Sequence, residues 1–244
     1  MFVGFGTLLN IIGIIGGSTL GVFFGNRIPE KTRSLITDGL GLVTLIAAGD
    51  ALRIIWKPSY ISALPKGWTL LTIIAALVVG ALIGGALDIE RHLERLGLIL
   101  RKRFANPSHT NFIEGFMAAS LLFAIGPLAI LGSISDGMNT GHQQLILKSL
   151  LDCITSIAFA ATFGWGVLAS FIPVGIYQGL WTLTGWGLGS IMNEYQVGAM
   201  TAVGGVLLAA IGLRILDIKI IAIGNLLPAI FLAPFIATAA HHFL

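Results

Sequence analysis

The chain has 244 residues, of which 56% are hydrophobic and only 10% charged. A soluble domain carries about 25% charged residues, and so few charges cannot cover a water-facing surface. With a mean hydropathy of +0.94, this composition excludes a soluble enzyme or binding module and calls for one integral membrane domain, residues 1–244. The net charge of +3 comes from loop Lys and Arg. No basic stripe with interleaved aromatics suggests a nucleic-acid partner. The single cysteine, Cys153, excludes an internal disulfide and a cysteine-based metal centre.

A membrane-crossing helix needs about 20 apolar residues, and the apolar runs predict an all-α polytopic bundle of seven or eight spans. The first, residues 2–25, starts without a basic n-region and outruns a signal-peptide core, so it reads as a retained span. The second, 35–55, is bracketed by Asp38 and Asp50, with Asp50 in reach of Arg53. The third covers 68–87. Segment 88–110 then reads as an amphipathic cytoplasmic connection. Leu93, Leu96, Leu100 and Phe104 share one face, and Arg91, Arg95 and Lys102 the other. That pattern predicts a strut touching anionic lipid. The fourth span, 112–134, starts with Glu114 and is broken near Pro127; the fifth is 146–164 and the sixth 165–184. The turn at Gly164 is short enough that these last two also fit one span plus a re-entrant piece, which gives seven. Residues 197–215 and 218–239 complete the set.

Charge orients these spans. With eight of them, the ten Lys and Arg of the loops after the first, third and seventh spans fall on one side. The positive-inside rule makes that side cytoplasmic. Arg53, Lys57 and Lys66 lie opposite, with Trp56, Tyr60, Trp68, Trp186 and Tyr195 at the interface. Both termini are therefore predicted outside.

Small residues let helices approach in lipid. Gly13, Gly17, Gly21 and Gly25 form an every-fourth stripe on the first span, and Gly80 and Gly84 repeat the spacing on the third. The expectation is packing of these two spans on each other, or a contact with a second copy of the chain. Internal similarity allows an inverted repeat. Residues 33–38 resemble 148–152, and 41–49 agree with 204–212 at five of nine positions.

Two segments interrupt their spans, 124–137 around Pro127 and 222–228 ending in Pro228, with Pro234 beyond. Broken helices in lipid line a wet cavity or are buried in protein, and a pair of them points to a transport site. Ionisable groups inside the membrane are costly and mark function. Lys148 and Asp152 share a helix face at i,i+4. Asp136 lies beside Ser133, Ser135 and Asn139, all oxygen ligands suited to a hard cation. Asn10 and Asn225 are polar groups fit to bond between helices. The buried set leans acidic, which favours a cation or proton over an anion. No zinc-binding, nucleophile-elbow or phosphate-loop motif appears, so no enzyme activity and no cofactor are expected.

These residues carry a resemblance. Gly6-Thr7-Leu8-Leu9-Asn10, the glycine stripe and Arg27-Ile28-Pro29-Glu30 form the opening. Gly126-Pro127, Gly132-Ser133-Ile134-Ser135-Asp136-Gly137 and Leu151-Asp152 form the centre, and Gly224-Asn225-Leu226-Leu227-Pro228-Ala229 the end. The chain resembles the bacterial family of uncharacterised membrane proteins of the YqgA and YdfK type, catalogued as a domain of unknown function. The resemblance implies a multi-pass bacterial inner-membrane protein, often labelled a transporter, without an established substrate. The functional expectation is a transporter or channel for a small ion, a cation by charge, at the two interrupted spans. Asp136, Asp152 and Asn225 would be ligands and Lys148 a tethered counter-charge. The alternative is a scaffold or regulatory protein acting through segment 88–110. The expected partners are the lipid bilayer, a small ion or solute, and a second copy of the chain. The sequence does not say whether that ion is a metal.

Overall fold

The computed structural model describes residues 2–25, 29–104, 111–125, 127–139, 141–188 and 192–243. Among them there is no strand. The helices are α1 (Phe5–Gly25), α2 (Glu30–Leu52), α3 (Pro58–Ser62), α4 (Trp68–Leu87), α5 (Ile89–Phe104), α6 (Phe112–Ala124), α7 (Pro127–Gly137), α8 (Gln143–Phe163), α9 (Trp165–Ala169), α10 (Phe171–Leu188), α11 (Glu194–Ile215) and α12 (Pro228–His241). Short 3-10 turns occupy Arg53–Trp56 and Ile223–Leu226. Seven stretches are long and apolar enough to cross a membrane, and the bent pair α6 and α7 makes an eighth if it counts as one span. Large aliphatic side chains such as Ile46 at 71% and Leu82 at 69% stand exposed, an arrangement suited to lipid rather than water.

The predicted breaks are real, and two are displaced. The fourth span bends by 61° between Phe112–Ala124 and Leu128–Gly137, and its second half, α7, runs on to Gly137, past the expected end at residue 134. Gly164 separates α8 from α9 with φ +71, a left-handed conformation that favours glycine. The last span does not begin at residue 218. The chain after α11 turns through Asp217 at φ 54 and makes the 3-10 turn before α12 starts. Pro228 opens α12 at its first turn instead of breaking it, because a proline there has no helical N–H to lose. Pro234 is the proline inside that helix.

The chain divides into two compact units, Met1–Leu40 with Leu93–Ile191, and Gly41–His92 with Met192–Leu244. In the first, α1 lies along α8, its chief packing partner. A methyl group on Gly17 would strike the Cys153 carbonyl, one on Gly21 the Ile157 carbonyl, and one on Gly25 the Ala161 backbone. Each glycine of the stripe thus meets a backbone position four residues further along α8. A cluster of Leu100, Phe112, Phe116, Met117 and Ala169, joined by Leu93, Leu96, Ile113, Trp165 and Ile172, seats α5 against α6 and α9. The apolar stripe predicted for segment 88–110 is therefore satisfied by protein at Leu93, Leu96 and Leu100; the Phe104 side chain and residues 105–110 lie outside the described residues.

In the second unit, Gly80 faces the Ala229 backbone and Gly84 the Asn225 carbonyl. The two glycine stripes thus pack on α8 and on the 3-10 turn with α12, a correction to the expected pairing of the first and third spans. Spacing every fourth residue marks a face for close approach; it does not name the partner helix. At one end of the unit, Glu194 in the first turn of α11 accepts from Lys57 Nζ and Ser59 Oγ, each at 3.0 Å.

Candidate functional site

The first unit holds a polar cluster inside apolar helices. On α8, Lys148 Nζ lies 2.6 Å from Asp152 Oδ2, one helical turn away, and both side chains are about nine-tenths buried. The Phe123 ring of α6 lies 6.0 Å from the ammonium. From α1, Asn10 Nδ2 donates to the same Asp152 oxygen at 3.0 Å and to Gln178 Oε1 of α10 at 3.2 Å. One turn away, the Thr7 and Thr182 hydroxyls meet at 3.0 Å. The i,i+3 pair Thr7 and Asn10 thus matches the i,i+4 pair Thr182 and Gln178, two polar rungs between α1 and α10.

Asn10 and Gln178 are completely buried, yet Asn10 Oδ1 and Gln178 Nε2 have no hydrogen-bond partner among the described residues. Turning the Asn10 amide over would set its oxygen against the Asp152 carboxylate, so the network fixes its orientation. A buried polar atom left unpaired costs about 1–3 kcal/mol and calls for an explanation, such as a bound ion or water. This pair places one spare acceptor and one spare donor beside an intramembrane carboxylate.

Asp136 plays a different part from the one its neighbours suggested. It is completely buried at the end of α7, and its carboxylate accepts from the Gly6 N–H at 3.1 Å and the Thr7 N–H at 3.3 Å. A negative charge there caps the positive end of α1. His142 Nδ1 lies 2.6 Å from the other oxygen. Ser133 turns its hydroxyl back to the Ala129 carbonyl at 2.6 Å, Ser135 is half-buried, and Asn139 is exposed in a left-handed turn at φ 56. Among the described residues, no three His, Cys, Asp or Glu side chains group closely enough to hold a metal ion.

Asn225 belongs to the second unit, where its Oδ1 accepts from the Glu90 N–H at 2.8 Å. The Glu90 carboxylate accepts in turn from Arg214 Nη1 and from the Gly224 N–H, both at 2.6 Å. This knot holds the 3-10 turn before α12, and the absent side chain of Gly84 admits the Asn225 backbone beside it. Sequence reasoning missed Glu90, His142, Gln178 and Thr182 as members of polar networks. The Gln178 and Thr182 spacing was the available signal. Glu90 looked like one more charge in a basic segment, and its partners lie more than 120 residues away.

Apolar helices with lipid-type exposure, broken spans held by buried carboxylates, and polar rungs inside the bundle define a polytopic helical membrane protein. Residues 5–238 match the family described as a protein of unknown function, DUF554, and the chain belongs to that family. It is 30% identical over 239 residues to the uncharacterized membrane protein YdfK of Bacillus subtilis (strain 168), covering 98% of each chain. It is also 30% identical over 235 residues to the uncharacterized protein YqgA of Escherichia coli (strain K12), covering 93% of this chain and 94% of that one. No solved structure matches.

Proposed function

We propose that the protein is an inner-membrane transporter or channel for a small cation, with its site in the first unit at Asp152, Lys148, Asn10 and Gln178. The observation that carries this reading is the incomplete network around Asp152, where two fully buried amides each keep an atom without a partner among the described residues. A purely structural ion pair would be expected to have its polar neighbours satisfied. Intramembrane ionisable groups cluster on ion and proton paths. Asp136 and Asp152 outnumber the one buried lysine, which favours a positive substrate. The oxygens near Asp152 are a carboxylate and two amide carbonyls, ligands that suit hard cations. Asp136 is better read as the cap that fixes the start of α1, and Asn225 as part of the Glu90 knot. The absence of hydrolytic or phosphate-binding motifs supports a role without catalysis, and the Lys and Arg distribution supports termini outside.

The test is flux in liposomes containing only this protein, loaded with a fluorescent indicator for Na+, K+ or H+. Flux of one of them above empty liposomes, lost in Asn10→Leu protein that still inserts and folds, supports the reading. Absence of flux for all three overturns it.

A further inference from the structure

We propose that the outward face of α5 is a binding surface for anionic phospholipid headgroups at the bilayer surface. Leu93, Leu96 and Leu100 are taken up by the cluster around Phe112 and Phe116, so the inward face of this helix is already accounted for. The outward face carries Arg91, Arg95 and Lys102, all exposed, which fall within about 40° of one another on a 3.6-residue helix. Leu98 and Ile99 flank that basic line at 44% and 64% exposure.

Bases and exposed aliphatics together suit neither plain water nor the hydrocarbon core. The headgroup zone satisfies both, because phosphates meet guanidinium and ammonium groups while Leu and Ile reach the acyl boundary. The position of the helix agrees. Asp88, in a left-handed turn at φ 49, ends the α4 span, and α5 starts at the next residue. The helix therefore starts at the end of a span, where the chain meets the membrane surface. Arg91 reaches Asp88 only at 3.7 Å, and Arg95 and Lys102 have no acidic partner among the described residues. Glu94 is the one acid on the exposed side. An acidic protein partner would account for the bases, but not for aliphatics interleaved among them one residue beyond a span.

The experiment uses the full chain in nanodiscs of phosphatidylcholine alone or with an equal part of phosphatidylglycerol. Melting is followed in both, and the lipids retained on extraction are read by native mass spectrometry. The wild-type protein should keep phosphatidylglycerol preferentially and melt higher in its presence. Each of Arg91→Gln, Arg95→Gln and Lys102→Gln should weaken the preference by about fivefold, and high salt should erode it. A control triple change at Arg53, Lys57 and Lys66 should leave the preference intact. A wild-type protein indifferent to phosphatidylglycerol overturns the proposal. So does a preference that survives all three single changes, or one that the control triple removes equally. The single changes alter only exposed side chains, so their folding is not at issue.

Discussion

Asn10 of α1 and Asp152 of α8 are joined by a 3.0 Å hydrogen bond at the point where Lys148 neutralises the carboxylate. The bond falls between Gly6 and the stripe Gly13 to Gly25, where α1 lies close along α8. Small residues bring the two helices together, and that approach lets a short asparagine reach a buried carboxylate. Asn10 also holds Gln178, so three helices depend on one amide.

Asn10→Leu should therefore cost about 2–3 kcal/mol in unfolding free energy, because it leaves Gln178 Oε1 buried without a donor as well as Nε2. Adding Gln178→Leu should recover most of that loss, since replacing both partners removes the orphans. A double-mutant cycle on detergent-solubilised protein, followed by helical circular dichroism in denaturant, measures the coupling. Additive losses would mean the two amides do not depend on each other.

Gly17→Leu should disrupt the fold of the single chain. The added side chain meets the Cys153 carbonyl and Ser156 Cβ, and neither a backbone carbonyl nor a helix axis yields easily. Gly16, one residue away, has open space around it, so Gly16→Leu should be tolerated. Comparing their expression and melting separates a packing defect from a general cost of replacing glycine. Equal behaviour would place the stripe in lipid.

Much of this was legible from residues alone, for identifiable reasons. Apolar runs reveal spans because lipid imposes a length. The break near Pro127 and the ion pair Lys148–Asp152 follow from local rules, as does Asp50 beside Arg53, which pair at 3.4 Å. What was not legible is which helices meet. Gly13 to Gly25 could not name α8, and Ser133 to Asn139 looked like an oxygen shell until Asp136 was seen capping a helix 130 residues away. Glu90 has the same history. Carboxylates that act at long range carry no spacing for a sequence to show.

Asp136→Asn should lower stability by about 1–2 kcal/mol, because it weakens the cap on α1 and the contact with His142. Ser133→Ala should change stability by less than about 0.5 kcal/mol and leave flux intact, since its hydroxyl donates to the Ala129 carbonyl of its own helix. Thermal melting and liposome flux on the same preparations check both. Loss of flux in folded Ser133→Ala protein would restore the oxygen shell as the site.

Topology follows from the Lys and Arg distribution. In a Cys153→Ser background, cysteines at Lys66 and Lys102, both exposed, should label with an impermeant maleimide from opposite faces of the membrane. Lys102 should react only from inside. Labelling of both from one face would remove the eight-span arrangement and with it the predicted outer termini.

The last prediction separates structure from transport at the buried pair. Asp152→Leu alone leaves the Lys148 ammonium buried without its carboxylate, and breaking such a pair typically costs about 3–5 kcal/mol. Replacing both, as Lys148→Met with Asp152→Leu, removes the stranded charge and should restore a protein that melts near the wild type. Asn10 Nδ2 then keeps only Gln178 as acceptor, which sets a modest residual deficit. If the pair is structural, this double variant behaves normally in every assay. If Asp152 binds the transported cation, the double variant folds, reconstitutes and carries no flux, because the charge that attracts the ion is gone. Melting and flux must be read on the same vesicles, so that a missing signal is not mistaken for missing protein. A folded double variant with full flux would take Asp152 and Lys148 out of the mechanism.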